Sequence, residues 1–282
     1  MSEIIITMSY STVNLSEFAS NFTYGISTLL FSGILLLSPF STLKAQNSFM
    51  QGKEFYRKRA AHADTFKADP TNINKAIKAF NKSLNEHKHP EESAIYLLRS
   101  YYFKGMYVNM PEERQKEIYD KGADLGEKWL RKYPQSVGIK FWYAALLGRW
   151  AKIHGFVASA THGISKKLRR ISKDIIRLDS TYQGGGGYRI LAQVHFYSPN
   201  IPFFMSWPSD DKALKLIKKA MKISPDNPTN RMLYAQVLIE FDQYKEAKKH
   251  LQFILNMHSR PTHKVEDRYL KYRSHQLLEK NF

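Results

Sequence analysis

Four short segments of one chemical kind cut this chain at intervals and constrain its fold more than any other feature. They are Ala68-Asp69-Pro70-Thr71-Asn72, Lys132-Tyr133-Pro134-Gln135-Ser136, Leu178-Asp179-Ser180-Thr181 and Ser224-Pro225-Asp226-Asn227. Proline cannot continue a helix and biases the residue before it out of helical geometry, while Asp, Asn, Ser and Thr cap the helix that follows. Between these turns, from Phe49 onward, apolar residues recur at three and four, and the alternation of a half-buried strand is absent. Repeated punctuation between pairs of amphipathic helices predicts an all-α fold of the solenoid type.

The clearest unit runs from Pro228 to Pro261. Ala235 lies on its first helix, and Tyr244, Ala247, Leu251 and Ile254 lie on its second. The twelve residues between Ala235 and Ala247 match the step of a tetratricopeptide repeat, in which alanines let two helices approach and aromatics fill the groove beside them. Ala213, Ile217 and Ala220 before Pro225 repeat the second-helix pattern, as do Ala76, Phe80 and Ser83. Gly122, Gly126, Trp129 and Pro134 give a looser version. Ala192 and Ala213 stand 21 residues apart, which requires an inserted loop over about 198–208. These spacings predict an α-solenoid of about five tetratricopeptide-like (TPR-like) hairpins, at roughly 49–88, 90–134, 136–180, 184–225 and 227–258. A C-terminal capping helix follows at about 263–280.

The N-terminus reads separately. Gly25 to Phe40 is an apolar run and Lys44-Ala45-Gln46 follows it. Residues 1–45 therefore read as a secretory signal peptide cleaved after Ala45, or as an N-terminal membrane anchor, and 46–282 as the helical domain. No positive charge precedes Lys44, where such signals usually carry one. The chain has no cysteine, which excludes disulfides, thiolate catalysis and sulfur-ligated zinc.

The formal net charge of +18 would suit a polyanion. Its lysines, however, fall at solvent-face spacing, as in Lys212, Lys215, Lys218, Lys219 and Lys222, which argues against nucleic acid as a partner. The densest cluster, Lys166-Lys167-Leu168-Arg169-Arg170, is a candidate for peripheral contact with an anionic membrane.

Three motifs carry a family resemblance: FWYAALLGRWAKIHG at Phe141–Gly155, GGGGYRILAQVHF at Gly184–Phe196, and DDKALKLIKKAMKISPDNP at Asp210–Pro228. In this order the chain resembles the T component (TatT) family associated with TRAP transporters, most specifically where the glycine-rich turn runs into Tyr188-Arg189-Ile190-Leu191. The resemblance implies an exported, non-catalytic scaffold that partners a periplasmic solute-binding protein in small-solute uptake and forms homotrimers. The chain differs from that family in lacking a lipid-anchoring cysteine. It also carries Ile201-Pro202-Phe203-Phe204-Met205-Ser206-Trp207-Pro208 where family members tend to be glycine-rich. A general cell-envelope scaffold with no transport role is the alternative.

Candidate sites are few. Gly184, Gly185, Gly186 and Gly187 can present amides to an anion at a helix start, or can form a tight turn that admits a neighbouring helix. No Gly-Lys-Ser/Thr ending follows, so this is no phosphate-binding P-loop. Arg149 and Arg189 can meet on one concave wall to hold a carboxylate, or can form ion pairs between repeats. Phe203, Phe204 and Trp207 make an apolar loop tip that must be covered by its own fold, a subunit, a partner or lipid. Trp142, Tyr143 and Trp150 lie at core spacing on a helix. The ten histidines form no metal-ligand spacing, no triad is recognisable, and neither cofactor nor catalysis is expected.

Overall fold

A computed structural model describes residues 47–198 and 206–282. The expected targeting segment, 1–45, and the loop residues Phe203 and Phe204 lie outside the described residues. Within them the fold is all-α, with eleven helices and no strand. The helices are α1 (Ser48–Arg57), α2 (Pro70–Asn85), α3 (Pro90–Tyr107), α4 (Glu112–Lys132), α5 (Val137–Thr161), α6 (Ile164–Leu178), α7 (Tyr182–Tyr197), α8 (Asp210–Ile223), α9 (Pro228–Glu240), α10 (Tyr244–Asn256) and α11 (Lys264–Asn281). Successive pairs occupy the five hairpin ranges expected from the turns, and each helix packs chiefly on its neighbours in sequence. None of the described helices is long and apolar enough to cross a membrane.

The punctuating residues act as caps. The Asp69 carboxylate accepts from the Thr71 N–H with Pro70 at the first helical position, and Ser136 accepts from the Ile139 N–H. Asp179 accepts from the N–H groups of Thr181 and Tyr182. Asn227 accepts from Thr229 and Asn230 ahead of α9, again with a proline at the start. Each such cap satisfies amide protons that the helix cannot, and is worth about 1 kcal/mol.

The small residues sit where helices cross. Ala213, Ala220, Ala235 and Ala247 are fully buried, as are Ile217, Leu251 and Ile254. Where α4 meets α5, glycine takes the alanine role: a Cβ on Gly126 would lie 2.2 Å from the Tyr143 ring. The α5 helix is longer than its partners and breaks at Gly155, whose φ of 83° lies in the left-handed region.

The C-terminal helix does more than cap. It packs on α9 and α10 at the end of the stack, and its side chains also reach back to the first hairpin. Arg59, two residues beyond the end of α1, is 4% exposed and pairs with Glu266 of α11 at 2.6 Å. It also donates to the Thr262 carbonyl at 2.6 Å. Arg268 donates to the carbonyls of Ala63 and Thr65. Phe66 stacks on Tyr272 at 4.7 Å, and Tyr269 meets Tyr107 edge-on at 5.9 Å. Two ends of the repeat array, some 207 residues apart in sequence, are thereby clasped together.

Candidate functional site

The tetraglycine opens α7, and its conformation is imposed by what surrounds it. Gln183, Gly184 and Gly185 have φ values of 52°, 64° and 79°. The N–H groups of Gly184 and Gly185 both donate to the Thr181 carbonyl, at 2.9 and 3.2 Å, so neither is free to receive an anion. A Cβ on Gly185 would stand 2.9 Å from the Ala220 Cα of α8, one on Gly186 would strike Phe141 of α5, and one on Gly187 would meet Ile175 and Ile176 of α6. The four glycines therefore form a wedge that brings three helices against one turn. Tyr188 packs on the α8–α9 cluster beside it.

Asn230 locks this wedge. Fully buried on α9, its amide donates to Gly184 O at 2.9 Å and Ala220 O at 3.1 Å, while its Oδ1 accepts from Arg189 Nη1 at 2.6 Å. The sequence carried one overlooked signal here, an asparagine at a position where helix α9 otherwise buries apolar side chains.

Among the described residues, neither Arg189 nor Arg149 forms an ion pair between repeats. Arg189 is 7% exposed and bonds only neutral groups, Asn230 and the Gln183 carbonyl. Burial pushes its pKa down to about 10, with Tyr102 as a weak opposing influence. Arg149, on α5, donates to the Tyr102 hydroxyl at 3.4 Å. Burial opposes its charge, but the phenols of Tyr102, Tyr119 and Tyr269 more than offset this, and its pKa is raised. Tyr102 of α3 thus lies within electrostatic reach of both guanidinium groups.

Residues that periodicity did not single out surround Arg149 and Arg189. Lys152 lies one turn beyond Arg149; burial first, then Arg149 and Arg273 of α11, hold its pKa below the ordinary lysine value. Tyr197, at the end of α7, donates to Gln236 of α9 at 3.0 Å and is within electrostatic reach of Arg149 and Arg273. Trp142 meets the Tyr102 ring edge-on at 5.6 Å. Tyr143 is core, whereas Trp150 is half-buried and donates to Asp120 at 2.6 Å.

Trp207 packs on its own chain rather than standing free. Arg169 of α6 lies 4.7 Å over its ring and His195 of α7 meets it edge-on at 5.2 Å. Among the described residues, the buried Arg169 Nε, His195 Nδ1 and Trp207 Nε1 have no hydrogen-bond partner. Beside them a crevice of about 240 Å³ is lined by Lys166, Arg169, Arg170 and Lys173, the basic cluster of the sequence.

Burial, followed by the charges of Lys212, Arg169 and Lys173, pushes the His195 pKa down to about 4. An unfolded imidazole takes its proton near pH 6.5, so between there and pH 4 the unfolded state binds more protons. Stability should fall as pH drops through this window, by on the order of 2 kcal/mol from this one group after allowance for solvent screening. Denaturant midpoints from pH 7 to 4 should therefore decline less steeply in His195→Phe; an unaltered slope would remove His195 as the cause.

A tetratricopeptide repeat family model matches residues 211–258, covering nearly all of α8 together with α9 and α10. Among solved structures, the chain is similar to a thermophilic TPR protein of Thermus thermophilus. The TM-score is 0.57 and the identity 16%, over 83% of this chain and 98% of that one. A structure of MamA protein aligns more loosely, with a TM-score of 0.44 and 14% identity over 80% of this chain and 93% of that one. No curated protein matches the chain. The repeat match and the helical architecture together make this a tetratricopeptide-like helical-repeat protein.

Proposed function

We propose that the protein is a non-enzymatic, exported scaffold that binds a periplasmic solute-binding protein and assists uptake of a small solute, in the manner of the T component of TRAP transporters. One observation carries this reading. The three segments that bear the family resemblance fall on α5, α7 and α8, and these helices meet at a single turn. Gly185 lies against Ala220, and Gly186 against Phe141. The resemblance thus belongs to one packed unit rather than to scattered repeats. Tetratricopeptide-like hairpins display extended surfaces suited to protein partners. The outward cations of α6 would supply contact with an anionic membrane surface.

Affinity capture from envelope fractions with the full chain as bait should recover a solute-binding protein whose gene lies beside this one, together with a TRAP permease gene. Recovery of unrelated envelope proteins alone would overturn the transport role and leave a general scaffold. Native mass of the purified chain should show a trimer; a monomer would remove that part of the reading.

A further inference from the structure

Some cations of helix α6 meet carboxylates: Lys167 lies 3.8 Å from Glu127, and Arg177 lies 3.7 Å from Asp174. Four others, Lys166, Arg169, Arg170 and Lys173, line a single crevice of about 240 Å³. Among the described residues these four make no ion pair, and no carboxylate lines the crevice with them. Their spacing of i, i+3, i+4 and i+7 is that of one helix stripe, so the backbone itself makes the charges converge. Like charges gathered in a concavity reinforce one another's field and raise the local concentration of anions.

One of the four is held in place. Lys166, Arg170 and Lys173 are exposed, whereas Arg169 is half-buried with its guanidinium 4.7 Å from the centre of the Trp207 ring. The buried His195 of α7 fixes that ring from the side, edge-on at 5.2 Å. A guanidinium held over an aromatic face keeps its N–H donors in its own plane, at the edge. The Arg169 Nε–H is such a donor, buried and without a partner among the described residues, and the Trp207 Nε1–H beside it is in the same state. A buried donor that meets no acceptor within the chain calls for one from outside it.

The number of cations selects the anion. A carboxylate has one charge and two oxygens, and a single guanidinium fork already engages both. A phosphate monoester carries about −1.5 to −2 charges at neutral pH and three strong acceptor oxygens, which leaves an oxygen and charge for the lysines. The crevice is smaller than the roughly 300–1,000 Å³ of pockets for drug-sized ligands, and so suits a phosphate group rather than a bulky molecule. We infer that the α6 crevice binds a phosphate group, with Arg169, held by Trp207, as the fork and Lys166, Arg170 and Lys173 as the surrounding charges. Free phosphate or pyrophosphate and the headgroup of a phosphomonoester lipid share this chemistry. The membrane contact proposed above needs charge alone, so failure of this site would leave both that contact and the protein partner standing.

Calorimetric titration of the full chain with inorganic phosphate and pyrophosphate at constant ionic strength tests this. A second arm measures retention on phosphatidylcholine vesicles doped with phosphatidic acid or, at matched surface charge, with phosphatidylglycerol. Saturable binding of a soluble anion assigns the site to free phosphate, and a preference for phosphatidic acid assigns it to a lipid headgroup. Arg169→Gln should weaken the binding at least about tenfold, since it removes the charge-assisted fork, and Arg169→Lys should not restore it. Lys166→Gln with Lys173→Gln, on exposed side chains, should weaken it several-fold. Lys78→Gln with Lys82→Gln, an equal loss of charge on exposed side chains of α2, should leave it unaltered. Thermal unfolding of each variant separates loss of binding from loss of fold, and the exposed lysine pair keeps the test decisive if Arg169→Gln does not fold. The assignment is overturned if neither soluble anion binds at ~10 mM, far above ordinary ligand ranges, and both vesicles retain the chain equally. It is equally overturned if the folded crevice variants bind as the α2 variant does.

Discussion

Alanine in place of Glu266 should destabilise the folded chain by about 3 kcal/mol, the low end of what removing one partner of a buried ion pair costs. The reason lies with the partner left behind. Arg59 is 4% exposed, and its remaining contacts are the carbonyls of Tyr56 and Thr262 and the rings of Tyr56 and Phe103, 4.4 and 5.1 Å away. None of these carries a full negative charge, so an uncompensated guanidinium would stay buried. The measurements are a urea midpoint and amide exchange. Exchange should quicken at the ends of the array, in α1 and α11, before it does in α7 to α9, because the pair joins the ends and not the middle. Removing both charges with Arg59→Met and Glu266→Leu should restore much of the loss. The exposed Arg57–Glu54 pair is the contrast, and its removal should change little. A Glu266→Ala loss below about 1 kcal/mol, the range of surface pairs, would mean that the clasp does not hold the array closed.

Gly185→Ala should cost a similar amount, about 3 kcal/mol, through a different mechanism. Its φ of 79° lies where a Cβ costs roughly 1–2 kcal/mol. The added carbon would also stand 2.9 Å from the Ala220 Cα, and backbone cannot swing aside as the end of a side chain can. Relieving that contact means parting α7 from α8, an overpacking strain of about 1–3 kcal/mol. Gly148→Ala in α5 provides the control. Nothing lies within 4 Å of its added Cβ, so helix propensity should make this change neutral or stabilising by up to about 1 kcal/mol. Should Gly185→Ala match Gly148→Ala in thermal midpoint, the wedge would not be under the constraint argued above.

The repeat alanines and the capping residues were legible in the sequence because their effects are local. Ala235 and Ala247 are spaced to meet across one hairpin, and both are fully buried where the helices cross. Asp69, Ser136 and Asn227 cap helices within three residues of themselves. The setting of the two candidate arginines was legible only in fragments. Arg149 and Arg189 stood out as candidate carboxylate ligands, and the structure gives each a neutral hydrogen-bond partner, Tyr102 and Asn230. Lys152, Tyr197 and Arg273 sit among many similar residues on helix faces, and nothing in their spacing marks them. Asn230 could have been noticed as a polar residue on an apolar face, but its partners come from the α7 and α8 segments, as far as 46 residues away.

By itself the sequence determined the helical hairpins, the turns that part them, and several of the small residues that let each pair come together. These properties depend on hydrogen bonds and contacts within a turn or a hairpin. Only the tertiary structure decided that the last helix returns to the first hairpin, and that the buried Arg59 finds a carboxylate there while the buried Arg189 finds only neutral partners. Each hairpin interface adds a small rotation to the stack. Whether the ends meet depends on the sum of those rotations, and no single segment encodes that sum. The same closure sets Arg59 against Glu266, so this buried ion pair follows from the course of the whole array and not from any one segment.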